Sequence, residues 1–140
     1  MLAWAHTMLA NQLRDQAESE SDPERADELF ARSETEYDSG LKIKPDMHEA
    51  LNNWGSALSA QAKTKTGEEA DKLYAQAYEK YEAALKIKPD KHDALNNWGE
   101  TLSEQAKTKI GEEADKLNQL AKEKFGQAES LRSNPSKTEN

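Results

Sequence analysis

The side chains able to do chemistry in this chain are three histidines, two runs of carboxylates and a recurring set of lysines. Histidine ligates metals and shuttles protons, and His6, His48 and His92 are the candidates. His48 and His92 lie 44 residues apart in near-identical surroundings. They read as two copies of one solvent-facing position, about 10 Å apart on neighbouring helices and too distant to share an ion. No metal is expected. Glu68, Glu69, Asp71, Glu112, Glu113 and Asp115 cluster where helices are predicted to begin, and there they complement the helix dipole. Catalytic carboxylates need burial or a raised pKa, and nothing in this pattern supplies either. Gly67 and Gly111 stand alone and form no phosphate-cradling loop. Cysteine is absent, which removes thiolate ligands and nucleophiles. Neither catalysis nor a cofactor is expected. Lys42, Lys44, Lys86, Lys88 and Lys91 surround two prolines; the negative end of a helix dipole explains them first, an acidic partner second.

The composition says what must position these groups. The chain has 140 residues, with 19 basic and 27 acidic side chains and a net charge of −8. That acidity argues against nucleic acid, whose phosphates need a basic footprint. Valine is missing and isoleucine occurs only at Ile43, Ile87 and Ile110, a poor supply for a sheet. Alanine (20) and leucine (14) dominate the apolar residues, and both favour helix. The expected fold is all-α. No stretch approaches the roughly 20 apolar residues of a membrane span. The opening MLAWAHTMLA lacks the basic start of a secretory signal. The expected compartment is the cytoplasm, with no membrane partner.

With only 35% hydrophobic residues and a mean hydropathy of −1.06, the chain needs a regular pattern to fold at all. It has one. Residues 41–73 and 85–117 agree at 27 of 33 positions, offset by 44. An earlier, degenerate copy aligns ERADELF (24–30) with EEADKLY (68–74), and YDSGLKIKPD (37–46) with YEAALKIKPD (81–90). Upstream of Asp22 the register slips by one, so that Leu9 and Leu13 match Trp54 and Leu58. Three units are expected, about 1–45, 46–89 and 90–133, followed by a polar tail at 134–140.

Each unit reads as two helices. The first carries Ala50, Leu51, Trp54, Ala57, Leu58 and Ala62 at three- and four-residue spacing. Asp46, with Glu49 three residues on, is its expected cap, and Asp90 with Asp93 repeats this in the next unit. The second carries Ala70, Leu73, Ala77, Tyr81, Ala84 and Leu85, and ends at Pro89. Thr66-Gly67-Glu68-Glu69 reads as its capping box, as Asp22-Pro23-Glu24 reads in the first unit. Ile110 replaces Thr66 in the third unit, which predicts a less sharply defined start.

These positions resemble the tetratricopeptide repeat family. In the middle unit the likeness runs through Ala50, Leu51, Trp54, Gly55 and Leu58, then Ala77, Tyr81, Ala84, Leu85 and Pro89. The resemblance implies antiparallel helix hairpins stacked into a right-handed solenoid, with Gly55 and Gly99 where neighbouring helices approach closely. It departs in length, 44 residues against about 34, which implies longer helices. The third unit's second helix, from Gly111 to about Leu131, is more polar and reads as a partial C-terminal cap.

In that family the concave face is lined by first-helix residues pointing away from the core. Here those are Glu49, Asn52, Asn53, Ser56, Ser59 and Ala60, then Asp93, Asn96, Asn97, Glu100, Ser103 and Glu104. Asparagine amides both donate to and accept from a peptide backbone, and the carboxylates favour a neutral or basic segment. The expected ligand-binding set is Glu49, Asn52, Asn53, Ser56, Asp93, Asn96, Asn97 and Glu100. Trp4 is open to two readings, core or an exposed contact residue. If exposed, it invites self-association, since the ends of a short repeat array leave apolar faces that a second copy covers. The sequence therefore supports a non-catalytic protein-interaction scaffold first, and a self-assembling homo-oligomeric module second.

Overall fold

The computed structural model describes residues 1–133, all of whose regular structure is helical. Six helices follow in order: α1 (Ala3–Ser19), α2 (Pro23–Ile43), α3 (His48–Ala62), α4 (Gly67–Ile87), α5 (His92–Ala106) and α6 (Gly111–Ser133). The tail expected at 134–140 lies outside the described residues. α1 packs chiefly on α2, α3 on α4 and α5 on α6; α2 then meets α3, α4 meets α5, and the first helices α1, α3 and α5 touch in sequence. The added length falls on the second helices, with 21 residues in α4 against 15 in α3.

The predicted stripes form the core. Ala50, Ala57, Leu58 and Ala62 of α3 are buried, as are Ala70, Tyr74, Ala77, Tyr81 and Ala84 of α4. Alanine lets backbones approach, and the tyrosines fill the space left between them. Gly55 and Gly99 mark the closest approaches, where a Cβ would stand 2.6 Å from a ring carbon of Tyr81 and 2.7 Å from one of Phe125.

The junctions between pairs repeat every 44 residues. Tyr37 of α2 stacks on Trp54 of α3 with ring centroids 6.1 Å apart, and Tyr81 of α4 on Trp98 of α5 at 6.4 Å. Lys80 covers the Trp54 ring at 3.9 Å and Lys124 the Trp98 ring at 3.8 Å, both within cation–π range. Two ion pairs brace the turn side: Lys65 to Asp27 and Lys109 to Asp71, each at 2.7 Å.

Two capping expectations are corrected. Met47 and Lys91, not Asp46 and Asp90, are the N-cap residues of α3 and α5, and neither helix has a side-chain cap. Asp46 sits one residue too early, in the turn, where its carbonyl accepts the His48 N–H at 3.0 Å. Thr66 makes no cap bond either. The chain enters α4 through Gly67 at φ 60° and α6 through Gly111 at φ 62°, a left-handed conformation that glycine adopts freely. Both helices begin at the same register position, so Ile110 does not blur the start of α6. Asp22 does cap: its side chain accepts the Glu24 N–H at 3.3 Å, with Pro23 in the first helical position.

Candidate functional site

The one-residue register slip aligns three stripes on the touching helices α1, α3 and α5. Trp4, Met8, Asn11, Asp15 and Glu18 correspond to Glu49, Asn53, Ser56, Ala60 and Lys63, and these to Asp93, Asn97, Glu100, Glu104 and Lys107. Burial agrees with this register. Thr7, Ala10, Leu13 and Ala17 are buried on α1, as are their counterparts Asn52, Gly55, Leu58 and Ala62 on α3.

A cleft of about 250 Å³ opens on this face, lined from α1 by Glu18, from α3 by Ser56, Ser59, Ala60 and Lys63, from α4 by Tyr81, and from α5 by Asn97, Glu100, Thr101 and Glu104. Of the predicted set it unites Ser56, Asn97 and Glu100. Asn52 is buried behind it, its side-chain oxygen accepting from the Asn97 amide at 3.0 Å. That bond ties α3 to α5, so part of the amide capacity expected for a ligand is already spent within the protein. Asn53 and Asn96 are half-buried, and Glu49 and Asp93 are exposed in the first turns of their helices; these four do not line the cleft.

The floor is held in place by hydrogen bonds. The Tyr81 hydroxyl pairs with that of Thr101 at 3.0 Å, and Thr101 donates to the Asn97 carbonyl at 2.8 Å. Burial raises the pKa of the Tyr81 phenol, against the lowering effect of its hydroxyl partners Thr101 and Ser56. Tyr37, its counterpart, is pushed up to about 12, chiefly by burial. These phenols stay neutral and act as fixed hydrogen-bonding groups. A second, more apolar cavity of about 420 Å³ adjoins, sharing Glu18, Ala60 and Lys63 and reaching to Phe30.

Glu18, Lys63, Tyr81 and Thr101 were not in the sequence-derived set. The slip upstream of Asp22 was the available signal for Glu18, because it sets that residue over Lys63. Tyr81 was assigned to the core, where its ring does lie; only its hydroxyl edge reaches the cleft. The histidines stay apart. His6 pairs with Glu36 at 2.7 Å and His92 lies 3.4 Å from Asp93. His48 leaves a buried Nδ1 without a hydrogen-bond partner, and its pKa is lowered, first by burial and then by Lys91. Among the described residues no three His, Asp or Glu side chains gather as a metal would require.

A family model described as the plant-specific mitochondrial import receptor subunit TOM20 matches residues 32–139, most of the chain. The chain belongs to that TOM20 family. No curated protein and no solved structure matches it significantly. The TOM20 family is one of non-enzymatic, protein-binding receptors, in agreement at that level with the expected interaction role. It also overturns the expected cytoplasmic compartment: family membership implies the mitochondrial outer membrane. Hydropathy could not reveal this, since no described helix is long and apolar enough to cross a membrane. The match begins within α2, so α1, with Trp4 and Glu18, lies outside it.

Proposed function

We propose that this chain is an import receptor that binds the presequence of a protein bound for the mitochondrion, on the face shared by α1, α3 and α5. The observation carrying this reading is the cleft that gathers Ser56, Asn97 and Glu100 with Glu18 and Glu104. The three helix pairs act as one tetratricopeptide-like array of units 1–45, 46–89 and 90–133, stacked as a right-handed solenoid whose concave side is that face. Asn52 and Asn97 brace the groove floor, and Asn53, Asn96, Glu49 and Asp93 extend it toward the N-terminal ends of the first helices. With carboxylates dominant there, the groove prefers a neutral or basic segment.

Titration of a labelled presequence peptide, read by fluorescence anisotropy, tests this. Asn53→Lys combined with Glu100→Lys places like charge in the groove of a fold it leaves intact. Affinity is expected to fall about tenfold or more; unchanged binding by this variant overturns the site. The second reading, self-association through Trp4, is favoured by the exposure of Met1, Leu2, Trp4 and Met8 at one end of the molecule. Light scattering across a hundredfold concentration range separates the two. A constant 15.7 kDa retains the receptor reading. A doubled mass that Trp4→Glu restores to the monomer value makes assembly the role of that end.

A further inference from the structure

The junctions between helix pairs follow one plan, and α6 carries half of a third. α2 and α4 each hold the first helix of the next unit at two points. At one, a tyrosine stacks on a tryptophan, Tyr37 on Trp54 at 6.1 Å and Tyr81 on Trp98 at 6.4 Å. At the other, an aspartate accepts a lysine eleven residues beyond that tryptophan, Asp27 from Lys65 and Asp71 from Lys109, each at 2.7 Å. Forty-four residues after Tyr81 and Asp71, α6 places Phe125 and Asp115 at the same two points. Among the described residues no helix follows to meet them. Phe125 is 37% exposed, against 0% and 1% for Tyr37 and Tyr81. Asp115 is exposed and takes part in no ion pair among the described residues. Both line a cavity of about 490 Å³ with Ser103, Asn118 and Lys122. Lys122 stands where Glu34 and Tyr78 do in the filled junctions. Glu34 accepts from the indole N–H of Trp54 at 3.4 Å and Tyr78 stacks on Trp98 at 6.3 Å, so this position meets the incoming ring each time. An ammonium there suits the face of an aromatic ring.

We propose that this face of α6 docks an amphipathic helix of a second protein, carrying a tryptophan and, eleven residues on, a lysine. The helix lies antiparallel to α6, its ring on Phe125 and Lys122 and its ammonium on Asp115. Asp115 and Phe125 are ten residues apart on one helix, about 15 Å at 1.5 Å per residue, the same interval that α3 and α5 already span on α2 and α4. A second copy of this chain does not meet the requirement. At the corresponding places α1 offers Leu9 for the tryptophan and Glu20 for the lysine, and Glu20 would set a carboxylate against Asp115. The site is on a different face from the one proposed for the presequence and does not depend on that reading.

The probe is a peptide with the sequence of residues 90–110, stapled into a helix, because it holds the tryptophan and lysine that fill the junction on α4. Its binding to the full chain is read by fluorescence anisotropy, and circular dichroism establishes that each protein variant keeps its fold. The peptide should bind. Trp98→Ala in the peptide should weaken it about tenfold or more, and Asp115→Lys in the protein about fivefold. A peptide carrying Lys109→Glu should bind the parent protein as poorly and recover on the Asp115→Lys protein, a rescue that loss of stability would not produce. Absence of binding by the parent peptide, or binding that Asp115→Lys leaves unchanged, overturns the proposal. So does a mass in light scattering that doubles with protein concentration and returns to the monomer value on Asp115→Lys, which gives the face to a second copy of the chain.

Discussion

Gly55 of α3 lies against the face of Tyr81 of α4 so closely that a Cβ would sit 2.6, 2.8 and 3.0 Å from three of its ring carbons. The contact is what allows the Tyr81 hydroxyl to pass under α3 and reach Thr101 on α5. One missing methyl group therefore connects the packing of a hairpin to the floor of the cleft proposed to bind the presequence.

Replacing Gly55 with alanine tests that connection. Alanine gains about 1 kcal/mol in helix propensity, but overpacking a core costs about 1–3 kcal/mol. The Tyr81 ring is 1% exposed and has nowhere to move, so the overpacking cost should fall at the upper end of that range, with a net loss of up to about 2 kcal/mol in urea unfolding. Gly99→Ala presses on Phe125, which is 37% exposed and can swing outward. That change is expected to fall within about 0.5 kcal/mol of neutral. Equal losses in the two variants would show that the Tyr81 ring yields as easily as Phe125.

The helix starts make a second contrast. Asp22→Ala removes a bonded cap and should cost about 1 kcal/mol. Thr66→Ala removes a side chain that caps nothing and should stay within about 0.5 kcal/mol. The same chemical-denaturation midpoints decide the case, and a larger loss at Thr66 would mean that its hydroxyl works in a way the geometry does not show.

These contrasts mark what was legible in the sequence. The stripes through Leu58, Ala77 and Tyr81 were, because apolar spacing directly encodes which side of a helix is buried. So was the small residue at Gly55, through its place in the repeat. The cap at Asp46 fails because capping depends on a one-residue offset, and Met47 holds that place; Thr66 does stand at the N-cap of α4, but its side chain makes no cap bond where the chain enters through the left-handed Gly67. Of the cleft, Ser56, Asn97 and Glu100 were visible from the repeat. Glu18 was not, because it comes from a degenerate first helix whose register slips. The compartment was hidden for a different reason: no described helix is long and apolar enough to cross a membrane, and the family match alone carried it.

A pH dependence follows from the brace between Asp71 and Lys109. The carboxylate accepts from Lys109 at 2.7 Å and from Gln105 at 3.1 Å, and these bonds hold its pKa below the ordinary 3.8. A depressed carboxylate stabilises the fold above 3.8, and that contribution disappears as pH falls through the lower folded value. Lys109 is shifted upward from 10.5, first by the same hydrogen bond; its contribution is full below 10.5 and lost as pH rises through the folded value. Asp71→Asn should therefore have a lower Tm than the parent near neutrality, with the gap closing in strong acid. A gap that stays constant down to about pH 2 would show that the pair contributes nothing through charge. The pair is partly exposed, so the effect should be small and should shrink with salt.

The three tryptophans offer an optical test of the proposed binding face. Trp54 and Trp98 each lie between an aromatic ring and a lysine ammonium, whereas Trp4 is 58% exposed. Acrylamide should therefore quench mainly the Trp4 emission, and Trp4→Phe should remove most of the quenchable fraction and shift the remaining spectrum to the blue. In a chain carrying Trp54→Phe and Trp98→Phe, the surviving Trp4 reports on its own surroundings alone. An apolar side chain laid against it displaces water from the indole, so a saturating presequence peptide should shift its emission to the blue and slow its quenching. Dilution of the same protein without peptide provides the control. A blue shift that depends on protein concentration and not on peptide would mean that Trp4 is covered by a second copy of the chain.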